Sequence, residues 1–350
     1  MKKNISYSFL ALGSWLLALL LFSSCKRNPK YVDVSNIKLE TQTLRFDKDF
    51  YSLTKENAVE YLPMMKKKYG EFFEFFVAHP RFLGYRFALL DSSQALTDSL
   101  LKFVNVPVFK EIYSVTEKKF SDFTELENQM QEALKHVKNY FPNDSFNKFI
   151  PVLMPAIQGD HAFTYGNDII SVNLYYYLGG DCPFYSKAAV PEPQFISWRY
   201  KPEFMIADCM GSIAKFYSHQ NQKGKCIDEM IYNGKLRYFA SCMMPDAPDS
   251  IINGYTKKQL EFCETFEDKI FQYFIDHKLL YSTDGLEFNK FVNDAPNTSD
   301  MPGDAPGNLG SWLGYRMVSK YMKENPNVTL QQLMAMTDGQ KIMEGAKYKP

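Results

Sequence analysis

Phe149-Ile-Pro-Val-Leu-Met154, then Ala162-Phe-Thr-Tyr165, Gly166-Asn-Asp168 and Ile169-Ile-Ser-Val-Asn-Leu174, is the stretch that decides the fold class. Three of its runs are short and dominated by β-branched or aromatic residues, which suit a pleated, half-buried surface. Gly-Asn-Asp between the last two is a tight-turn composition and predicts a hairpin. A small sheet therefore lies here, and nearly everything on either side of it reads as helix.

Toward the N-terminus, Thr54 to Ala78 predicts two helices parted near Pro63. The second carries Phe72, Phe73, Phe75 and Phe76 and is apolar nearly all round, as a buried helix is. Phe123, Leu126, Met130, Leu134, Val137 and Phe141 recur at spacings of three and four, the mark of an amphipathic helix. It opens at Ser121 and Asp122 and stops at Pro142. Beyond the sheet comes a Gly- and Pro-rich loop, 179–193, and then helices over about 202–217, 227–242, 256–277 and 311–324. Residues 294–308 form the longest loop. No repeat and no clean linker interrupts the chain, so 37–350 reads as one domain: α+β, mostly helical, with a small central sheet.

The 350 residues are 45% hydrophobic and 23% charged, which excludes a disordered chain. Forty Lys and Arg against forty Asp and Glu leave no basic excess to attract phosphate backbones, so nucleic acid is not an expected partner. Aromatics reach 16%, and a large aromatic core explains them more simply than stacking surfaces for sugar or peptide.

Residues 1–24 stand apart. Lys2 and Lys3 precede an apolar run from Phe9 to Phe22 that ends in Ser23-Ser24-Cys25. The run is short for a membrane span, which needs about 20 apolar residues. The segment resembles a bacterial lipoprotein signal, with Cys25 as the lipidation site and a plain cleaved secretory signal as the alternative. Cleavage removes two lysines and no acids, leaving 38 bases against 40 acids, a charge of −2. Residues 25–36 then read as a lipidated polar tether. No acidic cluster follows Cys25, which points to an outer-membrane protein facing the periplasm. Five further cysteines, 182, 209, 226, 242 and 263, include no C-x-x-C pair and read as scattered buried thiols, with one bridge possible.

Familiar catalytic signatures are missing. No two of the five histidines lie four residues apart, so there is no H-E-x-x-H, and there is no G-x-S-x-G and no P-loop. Asp160 and His161 are adjacent, and adjacent side chains usually point apart. Two constellations rise above this background. Cys226 to Tyr238 loads one helix with Asp228, Glu229, Lys235 and Arg237, around a mid-helix Gly234 that calls for a close-packed neighbour or a bend. A solvated charged face is the simpler account of those charges. Pro302 to Val318 runs from a Pro/Gly loop into a helix bearing Trp312, Tyr315 and Arg316 on one face, a combination suited to a carboxylate or peptide. Core packing of the two aromatics explains them equally well.

Arg45-Phe-Asp-Lys-Asp-Phe50, Gly179-Gly-Asp-Cys-Pro-Phe-Tyr185, Asp228-Glu-Met-Ile-Tyr-Asn-Gly-Lys235, the Pro-Gly-x-x-Gly-x-Trp-x-Gly run from Pro306 to Gly314 and the terminal Ala346-Lys-Tyr-Lys-Pro350 together resemble the gliding-motility lipoprotein family, GldB-like. Asn308 stands where the family usually has a basic residue. The resemblance implies an outer-membrane lipoprotein serving cell-surface motility or protein secretion, with protein partners in the cell envelope. The family in turn is similar to zinc metallopeptidases of the HExxH type. That comparison implies paired histidines on the helix 202–217, which has none, and places Glu229 near the acidic ligand. Without two imidazoles zinc binding and water activation both go.

The expectation is a metallopeptidase-like scaffold without metal, cofactor or catalytic residues that keeps a cleft for binding. Its candidate lining is Trp198, Arg199, Asp208, Asp228, Glu229, Lys235, Arg237, Trp312, Tyr315 and Arg316, with the segments 302–318 and 227–238 facing each other across it. The alternatives are a zinc-independent hydrolase built on Asp208, Asp228 and Glu229, and a binder of exported peptide or glycan through Trp198, Trp312 and Tyr315.

Overall fold

The sheet has four strands, β1 (Gln42–Thr43), β2 (Lys148–Val152), β3 (Ala162–Tyr165) and β4 (Ile169–Asn173), in the order β1-β2-β4-β3. β1 runs parallel to β2 and β2 parallel to β4, while β3 and β4 form the expected antiparallel hairpin, turning at Gly166 with φ +62°. The computed structural model describes residues 30–79, 83–84, 93–155, 160–188, 190–220 and 224–350. The signal segment 1–24, Cys25 and residues 26–29 lie outside the described residues.

Among the described residues six α-helices separate β1 from β2: α1 (Phe46–Tyr51), α2 (Ala58–Tyr69), α3 (Glu71–Ala78), α4 (Ser93–Val104), α5 (Pro107–Lys119) and α6 (Thr124–Tyr140). After β4 come α7 (Pro183–Lys187), α8 (Gln194–Ser197), α9 (Pro202–Tyr217), α10 (Cys226–Met243) and α11 (Asp249–Asn253). The chain then runs through α12 (Lys257–Thr265), α13 (Glu267–Asp276), α14 (Gly285–Val292), α15 (Leu309–Glu324), α16 (Leu330–Ala335) and α17 (Gly339–Gly345). Among the described residues no helix is long and apolar enough to cross a membrane.

The sheet is a wall between two aromatic cores. Side chains alternate across a strand, and Phe149, Ile170 and Val172 face the large core of the C-terminal helices, while Ile150, Val152 and Ile169 face Phe46, Phe72, Phe73 and Phe76 of α1 and α3. β4 is buried at every residue, as a strand covered on both faces must be. Much of the aromatic content is thus packing: Trp312, Tyr61, Tyr177, Tyr185 and Tyr238 are among the largest fully buried side chains.

Two helix boundaries differ from expectation. Pro63 lies inside α2 rather than between helices. The hydrogen bond it forfeits is to the carbonyl of Val59, a residue 88% exposed, so the lost donor is not stranded in the core. The break falls at Gly70 instead, whose φ of +53° and ψ of −133° suit a residue without Cβ. The expected helix 256–277 is two, parted at Phe266, with Glu267 and Asp268 opening the second where acids complement the dipole. At the start of α6, the Asp122 carboxylate accepts the Thr124 N–H at 3.0 Å, as the opening Ser-Asp suggested.

Arg45 holds the first helix down. Its Nε and Nη2 donate to Asp47, 1% exposed, at 2.8 and 2.7 Å, and its Nη1 donates to the Phe120 carbonyl at 3.0 Å. The residues expected as a free tether lie against the body from Lys30 onward. Lys30 Nζ donates to Tyr315 Oη at 2.8 Å and sits over the Tyr315 and Tyr238 rings, and Val34 is buried.

The close neighbour that Gly234 called for is Gly314. A Cβ on Gly314 would lie 1.7 Å from the Met230 carbonyl oxygen, and one on Gly234 would lie 2.3 Å from the Gly314 carbonyl carbon. The two segments expected to line opposite walls of a cleft therefore cross in backbone contact as α10 and α15, leaving no space between them there. All five cysteines beyond Cys25 are free; Cys182 is half-buried and the other four are buried.

Candidate functional site

Around the C-terminal half of α10 lies an open pocket of about 430 Å³. Its residues come from well-separated stretches of chain: Asp160 and His161 before β3, Arg199 after α8, Asp208, Ser212 and Lys215 on α9, Arg237 on α10, Asn253 at the end of α11, and Asp294 and Asn308 at the two ends of the loop between α14 and α15. On α9, Asp208, Ser212 and Lys215 are four and three residues apart and so share a face.

His161 and Asp208 form the centre of one wall. His161 Nδ1 lies 3.2 Å from Asp208 Oδ2, and Tyr177 Oη donates to the same oxygen at 2.7 Å. The imidazole stacks on Tyr176 at 4.3 Å between ring centres and meets Tyr200 edge-on at 5.0 Å. Burial pushes the Asp208 carboxyl up, but the His161 hydrogen bond, the charges of His161 and Arg199 and the Tyr177 hydroxyl outweigh it and hold its pKa below the usual range. Its side chain keeps 36% exposure, so the carboxylate remains reachable. Asp160 turns the other way and accepts from Lys215 Nζ at 3.2 Å, both about half exposed at the rim. The adjacent Asp and His thus point apart, as adjacency suggested.

A second cluster in the lining is an arginine pair. Arg199 forks onto Asp294, which also accepts from Asn308 Nδ2 at 3.1 Å. Burial raises the Asp294 pKa less than Arg199, Arg237 and Asn308 lower it. Arg237 is different. Its Nη1 is sealed from solvent and finds no acceptor among the described residues, and its guanidinium forms no ion pair there. Burial draws its pKa down, only partly offset by the more distant Tyr255 and Asp294. Asn253 Oδ1 and Asn308 Oδ1, also sealed, find no donor among the described residues. Asn253 is 4% exposed. Three unpartnered polar atoms on one pocket are uncommon, since buried polar groups are normally satisfied.

Of the residues singled out from sequence, Arg199, Asp208 and Arg237 come together here. Trp198 lies just outside, lining a neighbouring apolar groove with Met243, Met244 and Tyr255. The others serve the framework. Asp228 accepts the backbone N–H groups of Lys225 and Gly339 at 2.9 and 2.8 Å, capping α10 and tying in α17. Glu229 accepts from Gln220 on the surface. Lys235, 1% exposed, donates to the carbonyls of Met334 and Met336 at 3.0 and 2.5 Å, and burial draws its pKa down to about 8. Trp312 and Tyr315 are buried in the core, and Arg316 pairs with Glu267 at 3.0 Å. Asp228 and Glu229 lie roughly 12–14 Å along the α10 axis from Arg237, at about 1.5 Å per residue, so they do not share a site with Asp208.

The donor set does not suit the zinc that the peptidase comparison implies. The helix 202–217 offers Asp208 and Ser212 at ligand spacing but no imidazole, and among the described residues no three His, Cys, Asp or Glu side chains converge on one point.

The family model for gliding motility protein GldB matches residues 27–350. This chain belongs to that family. No curated protein and no solved structure matches it. The family motifs noted above divide between framework and pocket. Arg45 to Phe50 anchors α1, Asp228 to Lys235 and Gly310 to Gly314 build the helix crossing, and only Asn308 of the Pro-Gly run reaches the pocket. His161 and Asp294 are held by partners distant in sequence, Asp208 and Arg199, and Asn253 by the Asp249 carbonyl one turn back on its own helix; Asn253 and Asp294 carry no local signal.

Proposed function

We propose that this gliding-motility family protein is a lipoprotein anchored through Cys25 in the outer membrane and facing the periplasm. There it acts by binding a component of the motility or secretion machinery rather than by catalysis. One observation carries the second half of this reading. The pocket's ionisable groups are largely engaged with each other, as Arg199–Asp294, Lys215–Asp160 and the His161–Asp208–Tyr177 cluster. What is left over is a guanidinium and two amide oxygens, which recognise hydrogen-bonding partners but do not move protons at neutral pH.

The test has three parts. Mass spectrometry of the mature N-terminus should find an acylated cysteine at position 25, and an unmodified residue beyond it would overturn the anchor. Peptidase assays with and without added zinc should stay flat. Crosslinking in intact cells should capture an envelope protein with the wild type and lose it with Arg237→Gln.

The reachable His161–Asp208 pair favours a second reading, an acid–base hydrolase without metal. Turnover that disappears in His161→Ala would establish that reading in place of binding.

A further inference from the structure

We propose that the pocket receives the free carboxyl end of a peptide, with its terminal carboxylate on Arg237. This rests on the binding reading above and names the ligand class for the same site. Arg237 is the one pocket base without an acidic partner among the described residues: Arg199 is matched by Asp294, and Lys215 by Asp160. With Nη1 sealed, the guanidinium offers its Nε–Nη2 edge, whose two parallel N–H groups a carboxylate accepts together.

The charge of that anion is bounded by its neighbours. Asp160, Asp208 and Asp294 already match the charges of Arg199, Lys215 and Arg237 in the same pocket, so a monoanion leaves it one charge in excess and a dianion such as phosphate two. The rest of the ligand is bounded by Asn253 and Asn308, whose amide oxygens lack donors. A main-chain N–H beside a carboxylate supplies such a donor, and a turn of the Asn amide, which releases Asn253 Nδ2 from the Asp249 carbonyl or Asn308 Nδ2 from Asp294, presents the oxygen to it. Depth gives the direction. Asn253 is nearly fully buried, whereas the Asp160–Lys215 pair is half exposed at the mouth. A chain end therefore enters with its carboxylate inward and its body leaving past that rim. A volume of about 430 Å³ lies in the range of small-ligand sites, roughly 300–1,000 Å³, and excludes a folded domain.

Free carboxyl ends of peptides come from exported proteins or from the D-alanyl stems of the cell wall, and the experiment separates them. Binding of the full mature chain is followed by fluorescence anisotropy with dansyl-Gly-Ala-Ala, with its C-terminal amide and with dansyl-Gly-D-Ala-D-Ala. One of the free acids should bind at least tenfold more tightly than the amide; preference for the L form assigns protein termini, and for the D form cell-wall stems. Arg237→Gln should abolish that preference at an unchanged melting temperature. Should Arg237→Gln fail to fold, Asn253→Asp serves instead: a negative charge beside the carboxylate should weaken the acid at least tenfold and leave the amide less affected. Equal binding of acid and amide, or no binding of either acid to a folded protein, overturns the proposal. Cellular capture that still depends on Arg237 would leave the binding reading standing in that event. Turnover of the peptides would instead overturn the binding reading itself.

Discussion

Gly234 and Gly314 bring two helices into backbone contact, so closely that neither position has room for a single methyl group. Overpacking a well-packed site costs typically 1–3 kcal/mol and sometimes more. Gly314→Ala, facing a backbone carbonyl that cannot swing aside, should cost about 3 kcal/mol and lower the melting temperature by several degrees. Gly211→Ala on α9 meets nothing within 4 Å and should be neutral or gain up to about 1 kcal/mol of helix propensity. Thermal unfolding of the two variants checks this, and equal melting temperatures would refute the tight crossing.

Lys235 gives stability a dependence on alkaline pH. Burial lowers its folded-state pKa to about 8, against an ordinary value of 10.5 in the unfolded chain. Between those values the unfolded state binds more protons, so stability should rise with pH from about 8 to about 10.5 and level off above. At 1.36 kcal/mol per unit the gain is on the order of 3 kcal/mol at most. Denaturant titrations at several pH values should show this slope in the wild type and lose it in Lys235→Met, against the same background of other titrating groups.

The thiols should report their burial. In the native protein a small aromatic disulfide reagent should modify Cys182 first, with Cys209, Cys226, Cys242 and Cys263 reacting only after unfolding. Burial pushes Cys226, Cys242 and Cys263 up to about 12, which suppresses their thiolates further. Fewer than five reactive thiols in the denatured protein would reveal a bridge.

Arg45→Met should be among the most damaging single changes in the N-terminal half. It leaves Asp47 buried without its cation and the Phe120 carbonyl without its donor. Removing one partner of a buried pair costs about 3–5 kcal/mol. The double variant Arg45→Met, Asp47→Leu should recover much of that loss. Unfolding midpoints that fail to recover would show that Asp47 was never the source of the penalty.

The hairpin was legible because Gly166-Asn167-Asp168 fixes a local turn, and α9 was legible because its pattern is bounded by Pro202 and by polar Ser218. β1 was not, since its two residues are a strand only by virtue of Lys148 and Phe149 a hundred positions away. The same limit governs the pocket. Arg199, Asp208 and Arg237 could be picked out by charge, but His161 earned no weight without Asp208, 47 residues later. Trp312 and Tyr315 show the converse. Their spacing defines a helix face, and a face that packs against α10 has the same spacing as one that stacks on a ligand.

The seat of Lys30 on Tyr315 and Tyr238 bears on how the protein stands at the bilayer. With a lipid on Cys25, five residues join the anchor to that seat, and at most about 3.6 Å each they reach no more than about 18 Å. The leash is shorter than a compact domain of this length is wide, roughly 50 Å. Such an anchor would keep the flank nearest Lys30 turned to the headgroups, and a partner would approach from the sides or from the aqueous pole. A lysine read from sequence as part of the free tether 25–36 would then act as a mooring point that sets the protein's posture.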